Sequence, residues 1–168
     1  DLAFAIVWTG IVEHSGWIRW HERAGSAGYA KIQMPDELAL AGPDASQWVK
    51  SDERADLAEA RRHLELATAY ALFTNTDTLP KLAWLDHLSG NPTSAIARLA
   101  AAAEHQSDGA RAISLYYRGA ILNRLGRYDE ALRDIDSSLA ERSDLVTARE
   151  ERGVALWHLG RTDEAITE

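Results

Sequence analysis

A constant offset of 34 residues constrains this chain more than any other feature of it. Arg118-Gly119-Ala120-Ile121-Leu122 returns as Arg152-Gly153-Val154-Ala155-Leu156. Leu125-Gly126-Arg127-Tyr128-Asp129-Glu130-Ala131-Leu132 returns as Leu159-Gly160-Arg161-Thr162-Asp163-Glu164-Ala165-Ile166 at the same 34-residue step. Self-similarity at one fixed period means a supersecondary unit used more than once, each copy with an apolar face that only a neighbour can cover. Within the unit, a glycine after Leu125 or Leu159 suits the left-handed residue that ends a helix. Asp129 and Asp163 then fall at the start of the next helix, where free N–H groups and the helix dipole favour a carboxylate. The unit reads as helix, short turn, helix.

Weaker copies precede these two. Ser94-Ala95-Ile96 followed by Leu99 and Ala102, and Leu57-Ala58-Glu59-Ala60 followed by Leu64 and Ala67, repeat the pattern of the second helix. The small anchor residues Ala60, Ala95, Ala131 and Ala165 are spaced by 35, 36 and 34. Apolar positions between Asp52 and Phe73 recur at three- and four-residue steps, which predicts one helix with a single buried face. Ser89-Gly90-Asn91-Pro92 ends one helix and begins another. A first helix over Leu79–Leu88, with Ala83 at its crossing point, is recognisable but degenerate. The helix that should precede Ala60 is barely present.

The period, the small residues Gly119, Gly153, Ala131 and Ala165 at the crossing points, and the leucines between them resemble the tetratricopeptide repeat family. The resemblance covers roughly Asp52 to Glu168. Two departures stand out: Ser143 replaces the common proline after the second helix, and Leu115 and Arg149 replace a large aromatic early in the first. The resemblance implies an all-α, right-handed solenoid of antiparallel helix pairs, with a concave groove lined by the first helix of each pair. Carried over by position, the partner-binding groove would be lined by Tyr116, Ala120, Asn123 and Arg124 in one repeat. In the next it would be lined by Thr147, Glu150, Val154, Trp157 and His158, with packing against a further repeat as the competing role for Trp157. Relatives that bind chaperone C-termini hold the terminal carboxylate in a basic and amide clamp. The matching positions here are Tyr116, Ala120, Glu151 and Thr147, so a chaperone tail is not the expected partner.

Ahead of the repeats the chain changes character. Residues 1–24 read as an apolar, tryptophan-rich helix. Residues 25–51 read as an irregular connector with turn signals at Met34-Pro35-Asp36 and Gly42-Pro43-Asp44. Residues 52–168 read as repeats, degenerate over 52–108 and well formed over 112–145 and 146–168, the last truncated. Ala3 to Val12 carries no charge, yet about ten residues are half of what a bilayer span needs. Trp8, Trp17 and Trp20 suit a membrane interface, and Arg19, Arg23 and Lys31 after the apolar run favour repeats on the cytoplasmic side. A buried helix docked on the solenoid is the competing reading. The chain opens without an initiator Met and closes inside an expected helix, so it reads as a piece of something longer.

Composition narrows the chemistry. A net charge of -8 disfavours nucleic-acid binding. With no cysteine, thiolate metal sites and disulfides are excluded. None of the histidines falls in His-x-x-x-His metal spacing. His14 and His21 share a helix face but stand about 10.5 Å apart along it, too far for one ion, leaving His14 as a weak candidate ligand for a cofactor. Gly25-Ser26-Ala27-Gly28 lacks the lysine of a phosphate loop, and no nucleophile elbow is present. The sequence therefore predicts a non-catalytic interaction scaffold, without cofactor, associated with a membrane-protein complex. Its alternatives are the accessory region of a larger membrane enzyme, of glycosyltransferase or polymer-export type, and a cofactor-carrying membrane subunit.

Overall fold

The structure is a computed structural model that describes residues 2–32, 34–35, 39–40, 42–71 and 76–166, the side chains of residues 2–5 and of Asp108 excepted. The described residues form helices and connecting turns, with no strand among them. In chain order they are α1 (Leu2–Tyr29), a 3-10 turn (Ala45–Trp48), α2 (Glu53–Tyr70), α3 (Thr78–Leu88), α4 (Pro92–His105), α5 (Asp108–Arg124), α6 (Tyr128–Glu141), α7 (Val146–His158) and α8 (Thr162–Ala165). Neighbours pack as pairs, α1 with α2, α3 with α4, α5 with α6 and α7 with α8, and each pair stacks on the next. This is the expected all-α solenoid of helix hairpins.

The turns that separate α3 from α4, α5 from α6 and α7 from α8 are the same turn three times. Gly90, Gly126 and Gly160 adopt φ of 76°, 74° and 75°, the left-handed region where a side chain costs about 1 kcal/mol or more. In each, the glycine N–H donates to the carbonyl three residues back and the next N–H donates to the carbonyl five back. Gly126 donates to Asn123 and Arg127 to Leu122, both at 3.0 Å, which satisfies the orphan carbonyls of the helix end. On the far side of the turn, no side-chain cap forms at Arg127 or Arg161. Asp129 and Asp163 lie in the first turns of α6 and α8. Close to them, Arg127 and Arg161 make paired hydrogen bonds to Glu130 and Glu164 at 2.7 Å.

Close approach of two backbones defines the first and third hairpins. A Cβ on Gly119 would lie 2.6 Å from Ile135 Cγ1 and 3.2 Å from the Ala131 carbonyl oxygen. A Cβ on Gly25 would lie 2.6 Å from Leu64 Cγ and 3.0 Å from the Ala60 carbonyl oxygen. Gly25, Ala60 and Leu64 therefore repeat the geometry of Gly119, Ala131 and Ile135. The helix missing before Ala60 in the sequence reading is the C-terminal half of α1. Crossing residue and anchor stand 12 apart in Ala83 and Ala95, Gly119 and Ala131, and Gly153 and Ala165, but 35 apart in Gly25 and Ala60, so 23 extra residues are inserted into the first hairpin. That insertion is the connector. It also moves the boundary expected at residue 24: Gly25 and Gly28 are helical, because the crossing against Ala60 and Leu64 admits no side chain. Helix α2 ends at Tyr70, and Phe73 lies outside the described residues, as does Asp36 of the first turn signal.

Asp86 replaces, in the degenerate repeat, the leucine that stands as Leu122 and Leu156 in the next two. It is fully buried. Arg61 Nε of α2 lies 3.0 Å from its Oδ1, and Arg98 Nε of α4 donates to its Oδ2 at 2.7 Å. Both arginines also reach Glu65, at 3.0 and 3.3 Å. The second hairpin is thus tied to the first by ions where later repeats use aliphatic contact.

Glycines without a neighbour behave in the opposite way. A Cβ on Gly16, inside α1, would meet nothing within 4 Å. Gly16→Ala should therefore raise stability by about 0.5–1 kcal/mol through helix propensity alone. A urea titration of the two proteins would expose any hidden contact there as a loss instead.

Candidate partner-binding groove

The hairpin register places the groove. In each first helix the crossing residue faces its partner helix, and by the resemblance the residues three before, one after and four after it would line the concave side. These are Glu22, Ser26 and Tyr29 in α1, Pro80, Trp84 and His87 in α3, Tyr116, Ala120 and Asn123 in α5, and Glu150, Val154 and Trp157 in α7. Along this face lies an open cavity of about 420 Å³. Tyr29 of α1, Pro80, Lys81 and Trp84 of α3, and Ile113 and Tyr117 of α5 form its walls, with Leu99 and Gln106 of α4 behind them and Asp77 at its margin. The rings of Trp84 and Tyr117 lie 5.3 Å apart, and Tyr117 lies 4.9 Å from Tyr116. Lys81 Nζ donates to Ser26 Oγ at 3.1 Å across the α1–α3 boundary.

The residues carried over by position divide into two sets. Tyr116, Ala120 and Asn123 are buried. Asn123 Nδ2 donates to the backbone carbonyl and carboxylate of Glu151, both at 2.9 Å, and Arg124 makes a paired contact to the same carboxylate. Here the α5–α7 boundary is filled by its own polar groups. In α7, Thr147, Glu150, Val154, Trp157 and His158 are all exposed, Trp157 at 63%. His158 stacks on Tyr128, the ring planes 5° apart and 4.3 Å between centroids. The α1 and α3 walls of the cavity were missed because groove positions were carried only onto α5 and α7, and Ile113 and Tyr117 of α5 were not among those positions. The same 36-residue step that relates Ala95 to Ala131 relates Trp84 to Ala120, and would have found Trp84.

The connector returns to this face. His87 Nε2–H donates to the Ala39 carbonyl at 2.9 Å, and Arg124 Nε–H donates to the Leu40 carbonyl. Leu40 is buried in one cluster with Ala83, Tyr116 and Ala120. Further along, Asp44 accepts from Ser46 N–H at 3.0 Å and from Ser46 Oγ–H at 2.6 Å, starting the 3-10 turn that lays Ala45 and Val49 against Leu82, Leu85 and Leu88.

The tryptophans of α1 also divide. Trp17 packs edge-on to His21 and Tyr70, and Trp20 edge-on to His21 and His63, while His21 and His63 share a hydrogen bond between Nδ1 atoms of 2.7 Å. His14 donates from Nε2 to the Tyr70 carbonyl at 2.9 Å. These contacts form the α1–α2 seam. Trp8 lies beyond the end of α2, with Ile6, Val7, Ile11 and Val12, and all five are exposed. Among the described residues no helix is long and apolar enough to cross a membrane, and no group of three or more His, Asp or Glu side chains could hold a metal ion.

The tetratricopeptide repeat family matches residues 89–145 and again 124–168. The chain carries tetratricopeptide repeats. The match begins at Ser89, in the turn before α4, and runs through the two units whose 34-residue offset is clearest. Repeats of this family point to a role in protein–protein interaction. No curated protein and no solved structure matches the chain.

Two histidines give these repeats an acid limit. Burial holds the His87 imidazole below its ordinary value, against smaller opposing effects of the Ala39 carbonyl and Asp44. Burial, then the neighbouring His63 and Arg62, lowers His21. His87 Nδ1 is buried with no partner among the described residues, so a second proton there would have no acceptor. Because both folded values lie below the unfolded one near 6.5, the unfolded chain binds more protons in this range. The stability they contribute is present above about pH 6.5 and is lost as pH falls through the folded values. The urea midpoint should drop between pH 7.5 and 5.5. The drop should be smaller in His87→Phe, and an equal drop in both proteins would exclude His87 as its source.

Proposed function

We propose that the chain is an interaction scaffold, whose concave groove captures a segment of a protein partner in the cavity between α1, α3 and α5. The observation that carries this reading is the open aromatic wall of Trp84, Tyr117 and Tyr29 beside Lys81. Rigid aromatic side chains with a polar edge supply most of the energy in such contacts, and Lys81 offers a donor to a partner's carboxylate or main-chain carbonyl. A Trp84→Ala, Tyr117→Ala double substitution removes the wall; because both rings also pack against the core, it is compared with wild type at a temperature where the two proteins show the same helical circular dichroism. It is expected to cut partner recovery in affinity capture at least tenfold, and undiminished recovery would contradict the assignment. At the positions matched to the chaperone-tail clamp, Tyr116 and Ala120 are buried and Glu151 is committed to Asn123 and Arg124.

The apolar overhang of α1 supports a second element of the proposal, association with a membrane or a membrane-embedded partner. Residues 2–12 carry no charge and extend about 16.5 Å at 1.5 Å per residue, which reaches partway into a hydrocarbon core of about 30 Å. An uncharged, mostly apolar helix end is suited to a lipid or protein-core environment. Flotation with anionic vesicles should carry the wild-type chain and not Ile6→Asp, Ile11→Asp. Equal flotation of both would reject the overhang as the anchor.

A further inference from the structure

The concave face carries, beside the open cavity, a stretch that the chain itself covers. The turn at Ala39 and Leu40 is the cover. Its Leu40 side chain is 4% exposed, in one apolar cluster with Ala83, Tyr116 and Ala120. Its two successive main-chain carbonyls accept from His87 of α3 and Arg124 of α5. These are groove-side groups of two successive repeats, engaged as they would engage a foreign segment. The covering residues belong to no repeat: they lie in the insertion that separates Gly25 from Ala60. The three later hairpins close without such an insertion.

We infer that the Ala39–Leu40 turn is an internal ligand of the groove. It marks the chemistry the groove accepts: a leucine-sized aliphatic side chain with two adjacent main-chain carbonyls that accept from His87 and Arg124. A partner segment of that kind competes with Leu40 for the same seat. The seat adjoins the cavity through Trp84 and Tyr117, which pack around the cluster that holds Leu40. A segment entering the cavity therefore reaches the internal ligand next. The inference rests on the groove reading above and adds to it the class of side chain taken and the competition that limits its capture.

A labelled peptide with the sequence of residues 34–50 tests this on the full chain, read by fluorescence anisotropy. In the wild-type protein the tethered copy competes at an effective concentration on the order of a millimolar, so the peptide should bind weakly. Leu40→Asp in the protein empties the seat and should tighten binding of the wild-type peptide about tenfold or more. A peptide carrying Leu40→Asp should bind neither protein. Equal binding of the wild-type peptide to both proteins would overturn the inference. A Leu40→Asp protein that loses its helical circular dichroism would also overturn it, because the turn would then be core and not ligand. Leu40→Ala, which leaves Ala45 and Val49 in the core, is the second variant, expected to tighten peptide binding in the same direction but by less. Peptide binding reports the internal ligand alone, whereas loss of partner on Trp84→Ala, Tyr117→Ala reports the groove, so either reading can fail without the other.

Discussion

Asp86→Ala is expected to destabilise the protein by about 3 kcal/mol, near the lower end of the cost of breaking a buried ion pair. The carboxylate is fully buried between Arg61 and Arg98. Its removal leaves two guanidiniums facing each other across the α2–α3–α4 junction with only Glu65 to balance them. The arginine side chains are 31% and 26% exposed, so water relieves part of the loss, which is why the upper end of the range is not expected. For a chain of this size about 3 kcal/mol corresponds to a fall in Tm of roughly 6–12 °C. The ionic cluster itself need not be stabilising. Replacing Asp86, Arg61 and Arg98 together by leucine removes charge and partner at once and should recover most of the loss. It would also place at position 86 the residue type found as Leu122 and Leu156. A triple variant as unstable as Asp86→Ala would show that the ions contribute more than mutual neutralisation.

Gly25→Val carries the second large effect. The first carbon added would lie 2.6 Å from Leu64 Cγ, 2.7 Å from Leu64 Cδ2 and 3.0 Å from the Ala60 carbonyl oxygen. A backbone oxygen cannot swing aside as a side-chain end can, so α1 and α2 must separate. Overpacking of this kind costs typically about 1–3 kcal/mol, and with a β-branched side chain the upper end is expected. Gly119→Val should cost a similar amount through Ile135 and Ala131. Equilibrium urea unfolding followed by circular dichroism measures both. A neutral Gly25→Val beside a damaging Gly119→Val would separate α1 from the repeats and reduce it to an appended helix.

That comparison also marks where the sequence was readable. The last two hairpins were legible because period, crossing glycine, anchor alanine and Leu-Gly-Arg turn agree in both, and each has a local physical cause. The three left-handed glycines, Gly90, Gly126 and Gly160, were legible for the same reason. The first hairpin was not, because 23 inserted residues carry Gly25 away from Ala60, and a period search compares fixed distances. Its two glycines then looked like the start of a loop, since glycine usually weakens a helix and only the tertiary contact with Ala60 and Leu64 explains it here. The second hairpin was blurred by Asp86, a charge in a leucine's place whose partners lie 25 residues before and 12 residues after it in the chain. Tyr116 and Ala120, expected to line the groove, are buried in one cluster with Leu40, through a connector whose seat no local pattern encodes. Of the aromatic wall, Trp84 stayed hidden in the degenerate unit until the register could be carried across it, whereas Tyr117, in the well-formed unit, was passed over beside Tyr116.

The central claim is that the partner is held on the concave face, and site-specific photo-crosslinking tests it most directly. A photoreactive side chain at position 117, in the cavity wall, is compared with one at position 133, where Arg133 is exposed on the second helix of its hairpin. A crosslinked partner is expected from position 117 that disappears on Trp84→Ala, and none from position 133. Crosslinks to the same partner from position 133, unaffected by Trp84→Ala, would contradict it.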